Sequence, residues 1–407
     1  MTTMLMQFAS HAIAACAMMT TLSPEIPCSY RIDVVQGPTC SFGSSRTYGT
    51  GLNDRGRVVG YYECPTSTDS FAFRWEAGVF VPLELPWDVD LRVPLDVNGS
   101  GTIVGWVGTY GESWPFVINE AGPALLHYPP SGNSGEATAL NEEGETVGFW
   151  ANIFTGDPAR EACRWFPDGA FEPLEAALPA YLTVAEDINR RGDIAGWRQL
   201  TLADAPIAFR MIDGSLSSMP PITGWLQSRA SAVNDLGHVV GHGRIPNGAS
   251  TLTRAFLWAG TVARDLGTLP GLSWIAAIDI NHDGLIIGSA SGEGVGSTVF
   301  AFHRNALVDL EERIPADSGV DLRSGVAINN AGQILANGTA KSVLVAVLLT
   351  PAPPDPADVD RDCSVGAADL LAVLMSWGSR DPDADVDDDG CVGMTDLLLV
   401  LASWSLT

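Results

Sequence analysis

Apolar and polar residues alternate in short runs along most of the chain, and one turn signature punctuates the runs at regular intervals. The signature is Asn-x-x-Gly-x-(Val/Ile/Thr)-apolar-Gly, preceded by an apolar residue. It occurs at Asn53/Gly56, Asn98/Gly101, Asn141/Gly144, Asn189/Gly192, Asn234/Gly237, Asn281/Gly284 and Asn329/Gly332. Successive steps are 45, 43, 48, 45, 47 and 48 residues. An Asn side chain can bond nearby backbone amides and open a tight turn, and Gly accepts positive φ where a hairpin closes. Alternating apolar positions on both sides then predict two antiparallel strands per unit. The later glycine (Gly60, Gly105, Gly148, Gly196, Gly241 and Gly288, with Ala336 in the seventh unit) predicts a close approach by a neighbouring backbone or large side chain.

A second hairpin follows in each unit. Its first strand reads Phe71-Ala72-Phe73-Arg74-Trp75, Ala162-Cys163-Arg164-Trp165, Ala208-Phe209-Arg210, Ala255-Phe256-Leu257-Trp258 and Ala301-Phe302-His303. Four strands in about 46 residues is the size of a propeller blade, so the expected fold is all-β, a seven-bladed β-propeller over residues 30–350. An open β-solenoid is the alternative. The seventh unit stops after Val343 to Leu349, and the unmatched strand Tyr30 to Val35 resembles the piece it lacks. A closed ring needs that complementarity to leave no open sheet edge, and a solenoid does not. The Asn-x-x-Gly-x-(Val/Ile)-Val-Gly unit with its following Ala-Phe-x-Trp strand resembles the HAF family of extracellular repeats, over about Tyr30 to Thr350. The family's His is replaced here by Phe71, Arg254 or Phe300. The resemblance implies export and carries no activity with it.

Residues 351–356 form a Pro-rich linker that can neither continue a ladder nor start a helix interior. Residues 357–405 change composition sharply, and twelve aspartates stand between 355 and 396 against Arg361 and Arg380. They are ordered. Asp358, Asp360, Asp362, Ser364 and Asp369 take loop positions 1, 3, 5, 7 and 12. Asp385, Asp387, Asp389, Cys391 and Asp396 repeat the pattern 27 residues later. Hard oxygen donors at alternating positions, a position-7 carbonyl and an inward apolar position 8 are the logic of a calcium loop. Each loop runs into a short helix, with Leu370, Leu371, Leu374 and Trp377 expected to pack against Leu397, Leu398, Leu401 and Trp404. Tandem loops with trailing Leu/Trp helices, Asp at position 12 and no entering helix resemble a type I dockerin, over about Asp355 to Ser403. That resemblance implies a small all-α module, two calcium ions and a cohesin-type or cell-surface partner. Cys363 replaces the usual position-6 Gly, which weakens the first site. The residues that would choose a cohesin, Ala367-Ala368 and Met394-Thr395, match no particular one.

Charge narrows the partners. The chain carries 22 basic and 48 acidic residues, a net charge of −26, and Lys341 is its one lysine. Such a surface repels nucleic acid and anionic lipid, and leaves almost no material for lysine chemistry. Residues 1–27 are expected to be a signal peptide or lipoprotein signal region. Met4 to Met19 is mostly apolar, Ala15-Cys16-Ala17 suits signal peptidase and Ile13 to Cys16 suits a lipobox, although no basic residue precedes Arg31. The stretch is too short and interrupted for an integral membrane span. The expected location is therefore extracellular or at a bacterial cell surface. Six further cysteines permit disulfides, with Cys40–Cys64 the best candidate pair. Cys363 and Cys391 could join if the two loops adjoin, and could not if the helices run antiparallel.

Remaining motifs read as scaffold. His238 and His242 fall on a strand, about 13 Å apart, too far to share an ion. Gly292 to Thr298 lacks the lysine and helix of a phosphate loop. The Asn turns lack the alternating acids of a blade calcium loop. Tyr61, Trp106, Phe149 and Trp197 share one repeat position and either pack between blades or line a sugar channel. No nucleophile triad is visible. The main expectation is an exported, non-catalytic binding or scaffold protein with a calcium-dependent docking tail and a carbohydrate ligand as one option. The alternative is a propeller hydrolase or lyase acting on polysaccharide. An acidic pair facing an open central funnel would favour the enzyme, and a funnel plugged by apolar side chains the scaffold.

Overall fold

The computed structural model describes residues 26–404 except 110, 130–131, 153–159, 175–179, 221 and 249. The signal-region expectation falls mainly outside them. Strands dominate, arranged as consecutive antiparallel four-stranded meanders, and the architecture is that of a β-propeller. Arg46–Leu52, Val58–Glu63, Ser70–Glu76 and Val79–Pro82 form the first meander. Two later ones, Gln227–Val233 onward and Trp274–Ile280 onward, touch through one parallel bridge, Thr253 to Trp274. The last sheet is completed from the other end of the chain. Tyr30–Val35 pairs antiparallel with Val343–Pro351, Tyr30 opposite Pro351 and Val35 opposite Ala346. Val343–Pro351 is thereby covered, and Tyr30–Val35 takes the outer edge as the fourth strand of that sheet.

The repeated Asn explains how the units hold each other. Within its own turn, Asn53 Oδ1 accepts from the Arg55 and Arg57 amides at 3.0 and 2.9 Å, while Gly56 sits at φ +77°. Its Nδ2 donates outward, to the Asn98 carbonyl at 2.9 Å. Asn98 donates to Asn141 at 3.1 Å, Asn141 to Asn189 at 3.3 Å and Asn189 to Asn234 at 2.9 Å. Asn234 then donates to Asn281 at 3.0 Å, Asn281 to Asn329 at 3.3 Å and Asn329 back to Asn53 at 3.0 Å. The circuit closes. All seven side chains are buried. The amide offers an acceptor for its own turn and, on a separate atom, a donor for its neighbour; an ionised Asp in this setting keeps the first role and loses the second.

The mid-strand glycines are explained by what faces them. Gly60 pairs with Phe73, Gly105 with Phe116, Gly196 with Phe209, Gly241 with Phe256 and Gly288 with Phe300. A Cβ on Gly60 would collide with the Tyr48 carbonyl and come within 2.9 Å of the Phe73 ring. Every one of these Phe rings is fully buried, and they form much of the packing between units. The sixth unit corrects the sequence alignment. Phe300, and not Phe302, occupies the ring position, because a two-residue shift keeps the same face of a strand and alternation cannot detect it.

Each innermost strand also carries a β-bulge just before the Asn, as at Gly49/Gly51, Ala185/Asp187 and Ala277/Asp279. In alternate units the residue after the bulge is an aspartate, and it braces the next unit. Asp96 Oδ2 accepts from the Leu140 amide at 2.9 Å, Asp187 Oδ2 from Val233 at 2.7 Å and Asp279 Oδ2 from Ile328 at 2.8 Å. Burial outweighs these donors. It pushes Asp187 up to about 8, and Asp96 and Asp279 up to about 6, with neighbouring aspartates adding to the rise at Asp187 and Asp96.

In the tail, helix α1 (Ala367–Met375) and helix α2 (Met394–Ser403) follow the two acidic loops. The buried face differs from the expected stripe. Val373 and Val400 are enclosed with Val365, Val392, Ala357 and Ala384, with Leu370 and Leu397 alongside. Leu371, Leu374, Trp377, Leu398 and Leu401 are exposed. The loop valines and alanines set which side of each helix faces inward, about 100° from the predicted one.

Cys40 and Cys64 are bonded, as expected. Cys363 is not bonded to Cys391, which is free and exposed; it pairs with Cys28. The Gly378 amide donates to the Val392 carbonyl at 2.8 Å, tying the far end of α1 to the second loop. The nine-residue helix therefore holds the loops roughly 13 Å apart. Cys28 is available instead because the closing strand pair continues outward, Ala352 N donating to Ser29 O at 3.0 Å, and carries both chain segments to the same place.

Two outcomes follow from this framework. Asn234→Asp removes one link of the circuit and puts a carboxylate against a carbonyl, so it should cost about 1–3 kcal/mol in chemical denaturation, whereas the exposed His282→Gln should cost almost nothing. The three aspartates have folded-state values above the ordinary one, so the stability they contribute is full below about pH 4 and lost as pH rises through 6 to 8. Melting temperature should accordingly fall between pH 5 and 8.5, and Asp187→Asn should flatten that slope even if it lowers the starting value.

Candidate functional site

Two places gather chemistry, the acidic loops and the mouth of the central channel. In the loops, Asp358, Asp360 and Asp369 bring one oxygen each to within 4.8 Å of one another, and Asp385, Asp387 and Asp396 do the same. The backbone prepares them identically. Arg361 and Cys363 are left-handed in the first loop, at φ +61° and +73°, and Asp388 and Gly390 match them at +59° and +89°. The position-1 carboxylate accepts the position-6 amide, Cys363 N to Asp358 Oδ2 at 3.0 Å and Gly390 N to Asp385 Oδ2 at 2.7 Å. The position-12 carboxylate caps its helix, accepting from Gly366 at 2.7 Å and Gly393 at 2.6 Å. The other four predicted ligands stand apart from these groups. Asp362 Oδ1 accepts from the Ser364 amide and hydroxyl, at 2.9 and 2.7 Å, and Asp389 Oδ1 from the Cys391 amide at 2.9 Å.

The donor set fits a hard divalent cation. It is all carboxylate, and Asp358 Oδ1 is buried without a hydrogen-bond partner. Burial raises the Asp358 carboxyl above its ordinary value, and the nearby charges of Asp369, Asp362 and Asp360 push the same way, a strain that a cation would relieve.

The second place was not legible as a motif. A cavity of about 530 Å³ opens on the bulged side of the innermost strands, lined by Glu136, Glu186, Arg229, Ser231, His242 and Asp279 among others. Asp96 and Asp187 line both it and the cavity bounded by the Asn circuit, so these half-buried aspartates stand between the two mouths of one channel. Side chains reach the wide mouth from two register positions. Glu136 and Arg229 are five residues before the Asn of their units, paired across to Phe149 and His242. Glu186 is the bulge residue itself, and the bulge turns it into the channel.

These groups form one electrostatic unit. Glu186 Oε1 accepts from Trp197 Nε1 at 2.7 Å, and Arg229 lies over the same indole with Cζ 4.1 Å from its centroid. Arg160 lies over Phe149 at 4.4 Å. Burial raises the Glu186 carboxyl, against the Trp197 hydrogen bond and the Arg229 and Arg160 charges. Burial also raises Glu136, which Arg160 opposes and Glu186 reinforces. His242 is pushed down to about 4, first by burial and then by Arg229 and Arg244, so its ring is neutral at pH 7. Two carboxyls biased towards the protonated form, beside guanidinium groups and aromatic faces, can hold and transfer a proton next to a bound ligand.

The aromatic ladder divides accordingly. Phe149 and Trp197 are almost fully buried and carry the arginines, Trp106 borders an adjoining cavity of about 310 Å³ that also contains Glu136, and Tyr61 stacks on Tyr48 at 4.9 Å. His238 and His242 share no metal-competent group among the described residues. Gly292 and Gly296 pair at the closed end of a hairpin, the scaffold role expected. The missed residues had one faint signal: position five before the Asn is Glu136 in one unit and Arg229 in another, where other units place Val93, Val184 or Ala276.

No protein-family model matches the sequence, and no curated protein matches it. The resemblances to HAF repeats and to a dockerin therefore gain no support from that side. Solved structures match in fold. The β-propeller domain of the Trilobed protease from Pyrococcus furiosus gives a TM-score of 0.50 at 9% identity, over 76% of this chain and 96% of that one. An oligogalacturonate lyase in complex with manganese gives 0.50 at 11% identity, over 80% and 97%. A puromycin hydrolase variant gives 0.51 at 14% identity, over 77% of this chain and 55% of that one. At these identities the likeness shows the β-propeller fold. The expectation of a non-catalytic docking scaffold is corrected by these neighbours, which are enzymes or parts of enzymes, and by a central mouth that is open and lined with charge where a scaffold was expected to be plugged with apolar side chains.

Proposed function

We propose that this protein is a propeller hydrolase or lyase acting on polysaccharide, with its site at the wide mouth of the channel of a seven-bladed ring. The observation that carries the reading is the pair Glu136 and Glu186, two carboxyls of raised affinity for protons facing one open cavity. Glycosidic cleavage needs an acid that stays protonated near neutrality and a second carboxylate across the scissile bond. Glu186, the more deeply buried, takes the acid role, positioned by Trp197. Glu136 takes the other. The aromatic walls suit the apolar faces of sugar rings. Export is supported by two disulfides, and no helix among the described residues is long and apolar enough to cross a membrane.

We also propose that the tail binds two calcium ions, through Asp358, Asp360 and Asp369 in one loop and Asp385, Asp387 and Asp396 in the other, as its resemblance to a type I dockerin implies. The remaining loop positions, Asp362, Ser364, Asp389 and Cys391, complete the shells when the ion is present. The support is the shared backbone geometry of the two loops and the unpartnered Asp358 oxygen.

The full chain, incubated with a panel of polysaccharides, should release shortened chains from at least one. Glu186→Gln should lower kcat by about 10²-fold or more with the fold intact by circular dichroism; full activity in that variant, or none from the wild type on any substrate, ends the reading. Unsaturated products would mark elimination, and saturated ones hydrolysis. Calorimetry with calcium should show two sites, one of them lost in Asp385→Ala. Reducing Cys28–Cys363 should weaken the first site, because Cys363 then loses the anchor that holds its left-handed backbone, and leave the second unchanged.

A further inference from the structure

We infer that the channel mouth selects a sugar chain bearing carboxylate groups, an anionic polysaccharide. This rests on the proposed cleavage reading of the same cavity and goes further by naming its substrate class. Taken as a whole the protein argues against such a ligand, since a net charge of −26 repels polyanions at long range. The local arrangement does the reverse. Arg160 and Arg229 are each laid against an aromatic face on the wall of the mouth, and Arg244 contributes its charge from nearby. The two supporting rings are buried, so each guanidinium is fixed on one side and presents its remaining donors to the cavity.

What these arginines lack matters as much as where they lie. Elsewhere in the fold, arginines near the turns hold carboxylates closely: Arg57 to Glu76 at 2.9 Å, Arg164 to Glu172 at 2.8 Å and Arg191 to Asp193 at 2.6 Å. Among the described residues neither Arg160 nor Arg229 has an ion pair within 4.0 Å. Glu136 and Glu186 act on them through space without contact. Arg229 Nε is buried with no hydrogen-bond partner, and so is His242 Nδ1 across the strand pair. A half-buried guanidinium without a counter-ion is costly, and a ligand carboxylate held by the Nη donors on the cavity side would supply the missing charge. His242, neutral at pH 7, adds hydrogen bonding without further charge. The adjoining cavity extends the mouth outward past Glu136 to Arg160, Trp106 and Ser134, so a chain could place acidic units against both arginines.

Calorimetry on the full-length protein with an oligouronate, the same oligomer methyl-esterified, and a neutral cello-oligosaccharide tests this. The oligouronate should bind at least tenfold more tightly than its ester, and its affinity should fall with added salt. Arg229→Gln should remove at least tenfold of that preference and leave the ester unaffected; Arg229→Lys, which keeps charge but loses the fork, should fall between, and melting curves should show both variants folded. Equal binding of ester and acid, tighter binding of the neutral oligomer, no binding of the oligouronate, or equal loss for both ligands in Arg229→Gln would each overturn the inference. Oligouronate binding without cleavage would remove the enzymatic reading while leaving the selectivity standing. Cleavage confined to neutral chains would do the opposite.

Discussion

The carboxamide of one asparagine per repeat is used twice, and the rest of the propeller depends on that double use. Its oxygen shapes the local turn by accepting two amides, as Asn53 does from Arg55 and Arg57. Its nitrogen reaches the next unit's asparagine carbonyl, and seven such links return to their start at Asn53. Each bond alone is worth about 1 kcal/mol net, but a buried amide left unpaired costs more than that, so the circuit penalises any opening of the ring. The closing strand Tyr30–Val35 works with it, since circuit and strand both require the last unit to meet the first.

With the ring closed, small departures from regular pairing acquire consequences. The bulge before each asparagine inserts one residue and turns side chains that would otherwise alternate in and out of the sheet. In three units it places an aspartate against the neighbouring backbone, deep in the channel. In one of these three it also turns Glu186, the residue before Asp187, into the mouth. Glycine facing phenylalanine in the second strand lets the units pack closely enough for these residues to converge. The channel is therefore stratified, with amides at one end, buried carboxyls in the middle and a charged, aromatic mouth at the other.

The acidic tail obeys a more local logic. Within each loop, residues of left-handed backbone and hydrogen-bonded carboxylates gather the carboxylate oxygens over about twelve residues, and the same sequence spacing yields the same geometry twice. What is not local is the bond from Cys363 to Cys28, which ties the first loop to the segment leading into the ring-closing strand.

Much of this was legible along the chain. The turn at each asparagine, the paired strands around it, the need for glycine opposite a bulky neighbour and the two acidic loops are short-range consequences of sterics and hydrogen bonding among residues close together in sequence, and the complementary ends showed because the repeat exposed what the last unit lacked. The partner of Cys363, the face on which α1 and α2 pack, the register of Phe300 and the meeting of Glu136, Glu186, Arg160 and Arg229 were not. The helix face follows from the packing of the loop valines and alanines, and the Phe300 register from a two-residue shift that alternation does not reveal. Cys28 and the four channel residues come from opposite ends or different strands, and at each of those positions the sequence shows only an isolated charge or thiol. Closure of the ring alone determines which of them face one another, because convergence at a central mouth is a property of the whole circle and of no single repeat.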